Sequence, residues 1–111
     1  MSQTSTLVGR RMVDEEGHKI GKVADIFTDA RTMEPKWVAV NLGVLHNHQP
    51  LVPLRDSFVA DSGQLVVPFD PKTIKHAPVS HGVTPNHAEE AELSAYYGIP
   101  DEESDPGTTG I

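Results

Sequence analysis

Short apolar stretches separated by polar turn residues run through residues 7–69 of the chain. They are rich in Val, Ile, Leu and aromatic residues, and clusters of Gly, Pro, Asp and Asn bound them, which is typical of short strands. Six strands are predicted, at residues 7–13, 19–28, 36–42, 45–54, 56–60 and 64–69. Because no helical period interrupts them, we expect a mainly β fold, a small closed six-stranded barrel or a sandwich, with the barrel favoured.

Two of these strands carry residues that disturb regular pairing. Gly21, inside the second strand, indicates a β-bulge or a sharp bend that curls the sheet. Pro50 and Pro53 cannot donate a backbone hydrogen bond, so the fourth strand is predicted to be an edge strand or to be broken by bulges. Closure of the barrel would remove the remaining exposed edges.

The third strand has the clearest alternation. Val38, Val40 and Leu42 share one face, which predicts that this face is the core and that Trp37 lies on the opposite one. An exposed tryptophan is typical of a binding hot spot, so Trp37 is a candidate interaction residue. The favoured interpretation is that the C-terminal tail or a neighbouring loop covers it, and both interpretations hold if the cover belongs to a second copy.

Two helices are predicted after the strands. Asp70-Pro71 is typical of a helix start and predicts a helix at 71–75; Thr84-Pro85 predicts another at 85–97, with Gly98 ending it. The second helix carries a narrow apolar stripe formed by Leu93, Tyr96, Tyr97, Ala88 and Ala91. A helix this short needs tertiary contacts, so the stripe is expected to pack on its own barrel or on a partner, with the first favoured.

Charge divides the chain into two parts. Residues 1–80 carry nine Asp or Glu and all nine Lys and Arg, so the net charge of −7 belongs to residues 81–111. An acidic arm repels phosphate backbones and argues against nucleic-acid binding. We expect residues 1–80 to form the barrel, 81–98 a helical extension, and 99–111 a disordered acidic tail.

The composition limits the cellular compartments and the types of chemistry to be expected for this protein. The 111 residues fit one domain and include no cysteine, which excludes disulfides and thiolate chemistry and suits a reducing compartment. No apolar run is long enough to span a membrane, and the N-terminus lacks the apolar core of a secretory signal. We expect a soluble, cytoplasmic protein.

His46 and His48 are weak candidates for a metal site. If they lie on a strand, their side chains project to the same face and can hold one metal ion, although a third ligand must come from elsewhere. Solvated histidines on a loop or edge strand are the favoured interpretation. No metal or other cofactor is therefore predicted.

Paired carboxylates raise the question of hydrolysis. The sequence offers Asp25 with Asp29 and Glu89 with Glu90, but no apolar residues near them indicate a raised pKa. Hydrogen bonding at turns and strand ends is favoured for Asp25 and Asp29. With no nucleophile motif or phosphate-binding loop either, we expect no catalytic residues and no enzyme.

The order of short motifs resembles the PRC-barrel domain family, over about residues 7–98. The resemblance is carried by Val8-Gly9-Arg10-Arg11, Asp14, Gly17, Ile20-Gly21-Lys22-Val23, Asp25, Asp29, Trp37–Val40, Val52-Pro53-Leu54, Val67-Pro68-Phe69, Ala77-Pro78 and Tyr96-Tyr97-Gly98. It implies a compact six-stranded barrel that acts as a binding module without shared catalytic residues. The family includes the cytoplasmic part of the photosynthetic reaction-centre H subunit and the C-terminal domain of a ribosome-maturation factor.

Three functions remain open at this point. A non-enzymatic protein-interaction or assembly module, homodimeric and using Trp37, Leu93, Tyr96 and Tyr97, is favoured. An RNA- or ribosome-associated factor has few basic residues to support it, and the acidic arm opposes it. A soluble accessory subunit of a membrane electron-transfer complex rests on the resemblance alone.

Overall fold

The structure, a computed structural model, describes residues 7–29, 32–43 and 48–100. In these ranges the chain forms six strands and two helices in the predicted order. They are β1 (Arg11–Asp14), β2 (Lys19–Thr28), β3 (Pro35–Asn41), β4 (Leu51–Pro53), β5 (Phe58–Val59), β6 (Leu65–Val67), α1 (Pro71–Lys75) and α2 (His87–Tyr97). The mainly β class and the six strands are confirmed, and neither helix is long and apolar enough to cross a membrane.

The six strands form one sheet in the order β4-β3-β2-β1-β6-β5. All neighbouring pairs are antiparallel except β1 and β6, which run parallel. The expected closure into a sealed barrel is wrong for the described residues, because β4 and β5 lie at opposite ends of this order and do not pair. A turn with Asp56 at φ 64° joins these two very short strands, and Pro50 and Pro53 limit the pairing of β4.

The bulge expected at Gly21 is present. Met12 pairs with Gly21 but Val13 pairs with Lys19, so β2 contains one extra residue opposite β1. Gly21 also lies directly against β3, where an added Cβ atom would collide with the backbone carbonyl of Asn41. The absence of a side chain at this position therefore allows β2 and β3 to approach each other.

The core runs along β3 and is shared with both helices. Trp37, Val38, Ala39 and Val40 are all fully buried, so β3 is covered on both faces. The largest buried side chains around them come from β1, β2, β4, β6, α1 and α2, and include Met12, Val23, Val52, Leu65, Val67, Ile74 and Leu93. The cover on the second face of β3 is α2.

Polar residues cap both helices. Asp70 accepts a hydrogen bond from the backbone of Thr73 and starts α1 as predicted. The second helix begins two residues later than predicted, because Asn86 and Glu89 form a reciprocal capping box. Gly98 follows α2 in the left-handed conformation expected for a helix C-cap.

Other strand ends differ from prediction by a few residues. The first strand begins at Arg11 rather than at residue 7, since Leu7 and Arg10 are joined by a turn hydrogen bond of 3.1 Å. The fourth, fifth and sixth strands are each shorter than predicted. Residues 44–47 and 101–111, parts of the fourth predicted strand and of the acidic tail, lie outside the described residues.

Candidate interaction surfaces

A buried polar cluster joins α2 to the sheet. Glu90 of α2 accepts a hydrogen bond of 3.1 Å from the Trp37 indole and lies 3.4 Å from the Lys36 ammonium group. Asp29 approaches the same ammonium group at 3.9 Å. The Lys36 side chain is 18% exposed and the two carboxylates are less than 10% exposed, so one cation lies between two shielded anions.

Trp37 is not exposed, which agrees with the favoured interpretation that another part of the chain covers it. Its side chain is fully buried because α2 covers the face opposite the Val38 and Val40 core, and Glu90 satisfies its one polar atom. The ammonium group of Lys36 lies 6.0 Å from the centroid of the indole ring, at the limit of a cation–π contact. In this chain Trp37 is therefore a contact between the sheet and the helix.

The predicted stripe on α2 is divided between burial and exposure. Leu93 and Tyr97 lie in the core cluster, and the Tyr97 hydroxyl donates to the Leu51 carbonyl at 2.6 Å. Burial raises the pKa of Tyr97. Tyr96 is 39% exposed and donates to the carbonyl of Thr73 at 2.6 Å. Any role of these side chains toward a partner stays a prediction.

The outer edge of β4 is covered by the segment that follows α1. Leu51 donates to the Pro78 carbonyl at 3.0 Å, and Ser80 donates to the Gln49 carbonyl at 2.8 Å. Pro50 forms an isolated antiparallel bridge with Val79. This end of the sheet therefore has few backbone groups left to pair with another chain.

The edge formed by β5 differs. Its two residues, Phe58 and Val59, are 56% and 45% exposed, and no strand in the described ranges pairs with its outer side. They line an open groove together with Leu7, Leu54 and Leu65. Adjacent exposed apolar residues on an unpaired edge are a feature of binding surfaces. The fifth strand was predicted from the sequence, but its exposure was not, since exposure depends on which strands are neighbours.

The turn between β1 and β2 brings together three groups that metals favour. Ligand atoms of Asp14, Glu16 and His18 lie within 4.8 Å of one another. The Asp14 carboxylate is already occupied, because it accepts from the backbone of Glu16 and His18 and contacts His18 Nδ1 at 2.9 Å. These hydrogen bonds stabilise the turn, and they explain why the three side chains lie close together.

The same contacts shift two pKa values. Burial would raise the pKa of Asp14, but hydrogen bonds from His18 and the Glu16 backbone outweigh it and lower that pKa. The hydrogen bond and the charge of Asp14 raise the pKa of His18. The His18 side chain is 64% exposed.

The histidine and carboxylate predictions have different outcomes. His48 lies with Nε2 3.5 Å from the Lys75 carbonyl, whereas His46 lies outside the described residues, so their joint metal site stays a weak prediction. The carboxylates that lie together in the structure are not the pairs of sequence neighbours considered above. Asp29 and Glu90 both approach Lys36, a grouping that no sequence spacing indicated.

Comparison with known proteins agrees with the motifs. The family model described as PRC-barrel domain matches residues 1–74. No curated protein matched the chain. The matched residues include all six strands, the Gly21 bulge and the Trp37 strand. The chain therefore belongs to the PRC-barrel domain family.

Proposed function

We propose that this protein is a non-catalytic interaction module of the PRC-barrel type that assembles with a second copy of itself. The observation that carries the proposal is the pair of exposed apolar side chains, Phe58 and Val59, on the unpaired edge of the sheet. Water contact with two adjacent large apolar side chains is unfavourable, and association removes it.

Family membership and the arrangement of charged groups support the same function. PRC-barrel domains act as interaction modules. The shielded carboxylates Asp29 and Glu90 are tied to Lys36 and to the Trp37 indole, which is a structural use of these groups. The absence of cysteine suits a reducing compartment such as the cytoplasm.

The test is the molar mass in solution, measured by size-exclusion chromatography with light scattering up to about 1 mM protein. We expect a mass above the 12.1 kDa of one chain, rising with concentration. Phe58→Asp should return the mass to that of one chain. Val83→Asp is the matched control, because Val83 is 66% exposed and lies near Leu51 of β4, at the opposite end of the sheet from β5. A wild-type mass of 12.1 kDa throughout would refute self-assembly.

A further inference from the structure

The backbone N–H and carbonyl groups of Val59 point away from the neighbouring strand β6. Ala60 donates to the Gln64 carbonyl at 2.8 Å, and Phe58 and Val59 pair with Val66 and Leu65 of β6. Hydrogen-bonded residues alternate along an antiparallel pair, so Phe58 bonds to β6 and Val59 does not. The N–H and the carbonyl of Val59 therefore face outward on an edge that no strand of the described ranges covers.

A second copy of the same edge satisfies both groups. In an antiparallel pair related by a two-fold axis, Val59 of one chain lies opposite Val59 of the other and the two residues exchange two hydrogen bonds. This register places Ser57 opposite Asp61 and keeps the large side chains of Phe58 beside the axis.

The charged residues that flank β5 permit this arrangement. Arg55 and Asp56 precede the strand and Asp61 follows it. Counted in this register, Arg55 lies opposite Gly63, Asp56 opposite Ser62 and Asp61 opposite Ser57 of the second copy, so no two like charges lie directly opposite each other.

We propose that β5 pairs antiparallel with β5 of a second copy, with Val59 opposite Val59, so that the two sheets join across the Phe58–Val59 edge. The inference rests on the proposed function and specifies its surface and register. Because β5 has only two residues, the interface is small, and we expect dissociation in the range of about 10–100 µM.

One experiment uses the absence of cysteine in the sequence. Opposed residues of a hydrogen-bonded pair have Cα atoms about 5.5 Å apart, which is within the range of a disulfide. Val59→Cys in the full chain should therefore form a disulfide-linked dimer under mild oxidation. Asp61→Cys is the register control, because the two copies of position 61 would lie about 14 Å apart and should not form a disulfide.

A second experiment tests the outward N–H. Val59→Pro removes that donor but leaves the Phe58 bonds to β6, whereas Val59→Thr keeps the donor and the β-branched shape. We expect Val59→Pro to weaken dimerisation at least about tenfold and Val59→Thr to leave it within about threefold. Melting temperatures of both variants show whether the fold is retained.

The outcomes separate this inference from the proposed function. A disulfide at position 59 but not at 61, with dimerisation lost in Val59→Pro, supports the edge pairing. A dimer that persists in Val59→Pro, with no disulfide at position 59, overturns the pairing and leaves self-assembly standing. A maleimide-inert thiol at position 59 in the monomer overturns it too, because the chain would then cover its own edge. A monomeric wild type overturns both proposals.

Discussion

The two ends of the sheet solve the problem of the unpaired edge in opposite ways. At β4 the chain returns as residues 78–80, two prolines reduce the number of donors, and α2 packs alongside. At β5 the described chain supplies no such cover, and two apolar side chains face water. The covered end is thus built for stability, whereas the β5 end leaves both backbone groups and apolar surface available for binding.

Truncation of one aromatic residue on the covered strand β3 and of one on β5 should give the largest difference in stability. Trp37→Ala removes the largest fully buried side chain and leaves Glu90 without the indole N–H, so we expect a loss of about 3–5 kcal/mol in the free energy of unfolding. Phe58→Ala should cost less than about 0.5 kcal/mol, since more than half of that side chain is exposed. Urea unfolding below the dimer dissociation constant measures both. Equal losses would contradict the distinction.

A second test removes the charge that ties α2 to the sheet. Glu90→Ala leaves the Trp37 N–H unpaired and Lys36 with only Asp29, which should cost about 2–3 kcal/mol. Glu92→Ala, at an exposed position of the same helix, is the control and should cost about 0.5 kcal/mol or less. Chemical unfolding gives both values, and a Glu90 effect no larger than that of Glu92 would show that the cluster does not hold the helix.

A smaller effect separates the two tyrosines. Tyr97→Phe removes a buried hydrogen bond to the Leu51 carbonyl, and we expect a loss of about 1 kcal/mol. Tyr96→Phe removes a bond of the same length at a partly exposed position, where water replaces it, so its cost should be lower. Thermal unfolding of the two variants is the measurement, and the reverse order would place the greater contribution outside the buried contact.

The smallest effect concerns pH at the β1–β2 turn. The pKa of His18 is raised in the folded state, so its stabilising contact is fully present below about pH 6.5, its ordinary value, and is lost as the pH rises through the raised pKa. The pKa of Asp14 is lowered, so its contribution is present above its ordinary value and is lost as the pH falls through the lowered pKa.

The melting temperature of the wild type should therefore decrease from pH 6 to pH 8.5 more than that of His18→Gln. His81→Gln replaces an exposed histidine outside this turn, and its melting temperature should decrease with pH as much as that of the wild type. Identical slopes for all three proteins would show that the Asp14–His18 contact adds nothing to folding.

The sequence was most informative where local rules decide the structure. The bounds of β2 follow from a ten-residue run with turns at both ends, and α1 follows from Asp70-Pro71. The helix α2 starts two residues later than Thr84-Pro85 predicts, because Asn86 and Glu89 form a capping box.

Contacts between residues that are far apart in the sequence could not be predicted from these local patterns. Alternation correctly put Trp37 and Val38 on opposite faces, but it does not say whether a second layer covers the outer one. Glu90, which provides that cover, follows 53 residues later. Closure of the sheet likewise depends on the lengths of β4 and β5, which are set by a left-handed residue at Asp56 and by proline positions.

The hydrogen bond between Trp37 and Glu90 also gives the protein an internal optical probe. Trp37 is the only tryptophan in the chain, and its surroundings include the helix that covers it. An indole that enters water emits at longer wavelength, so a red shift in its fluorescence would report detachment of that helix. Comparing this shift with the loss of circular dichroism from the sheet would show whether the helix and the sheet unfold together or in sequence.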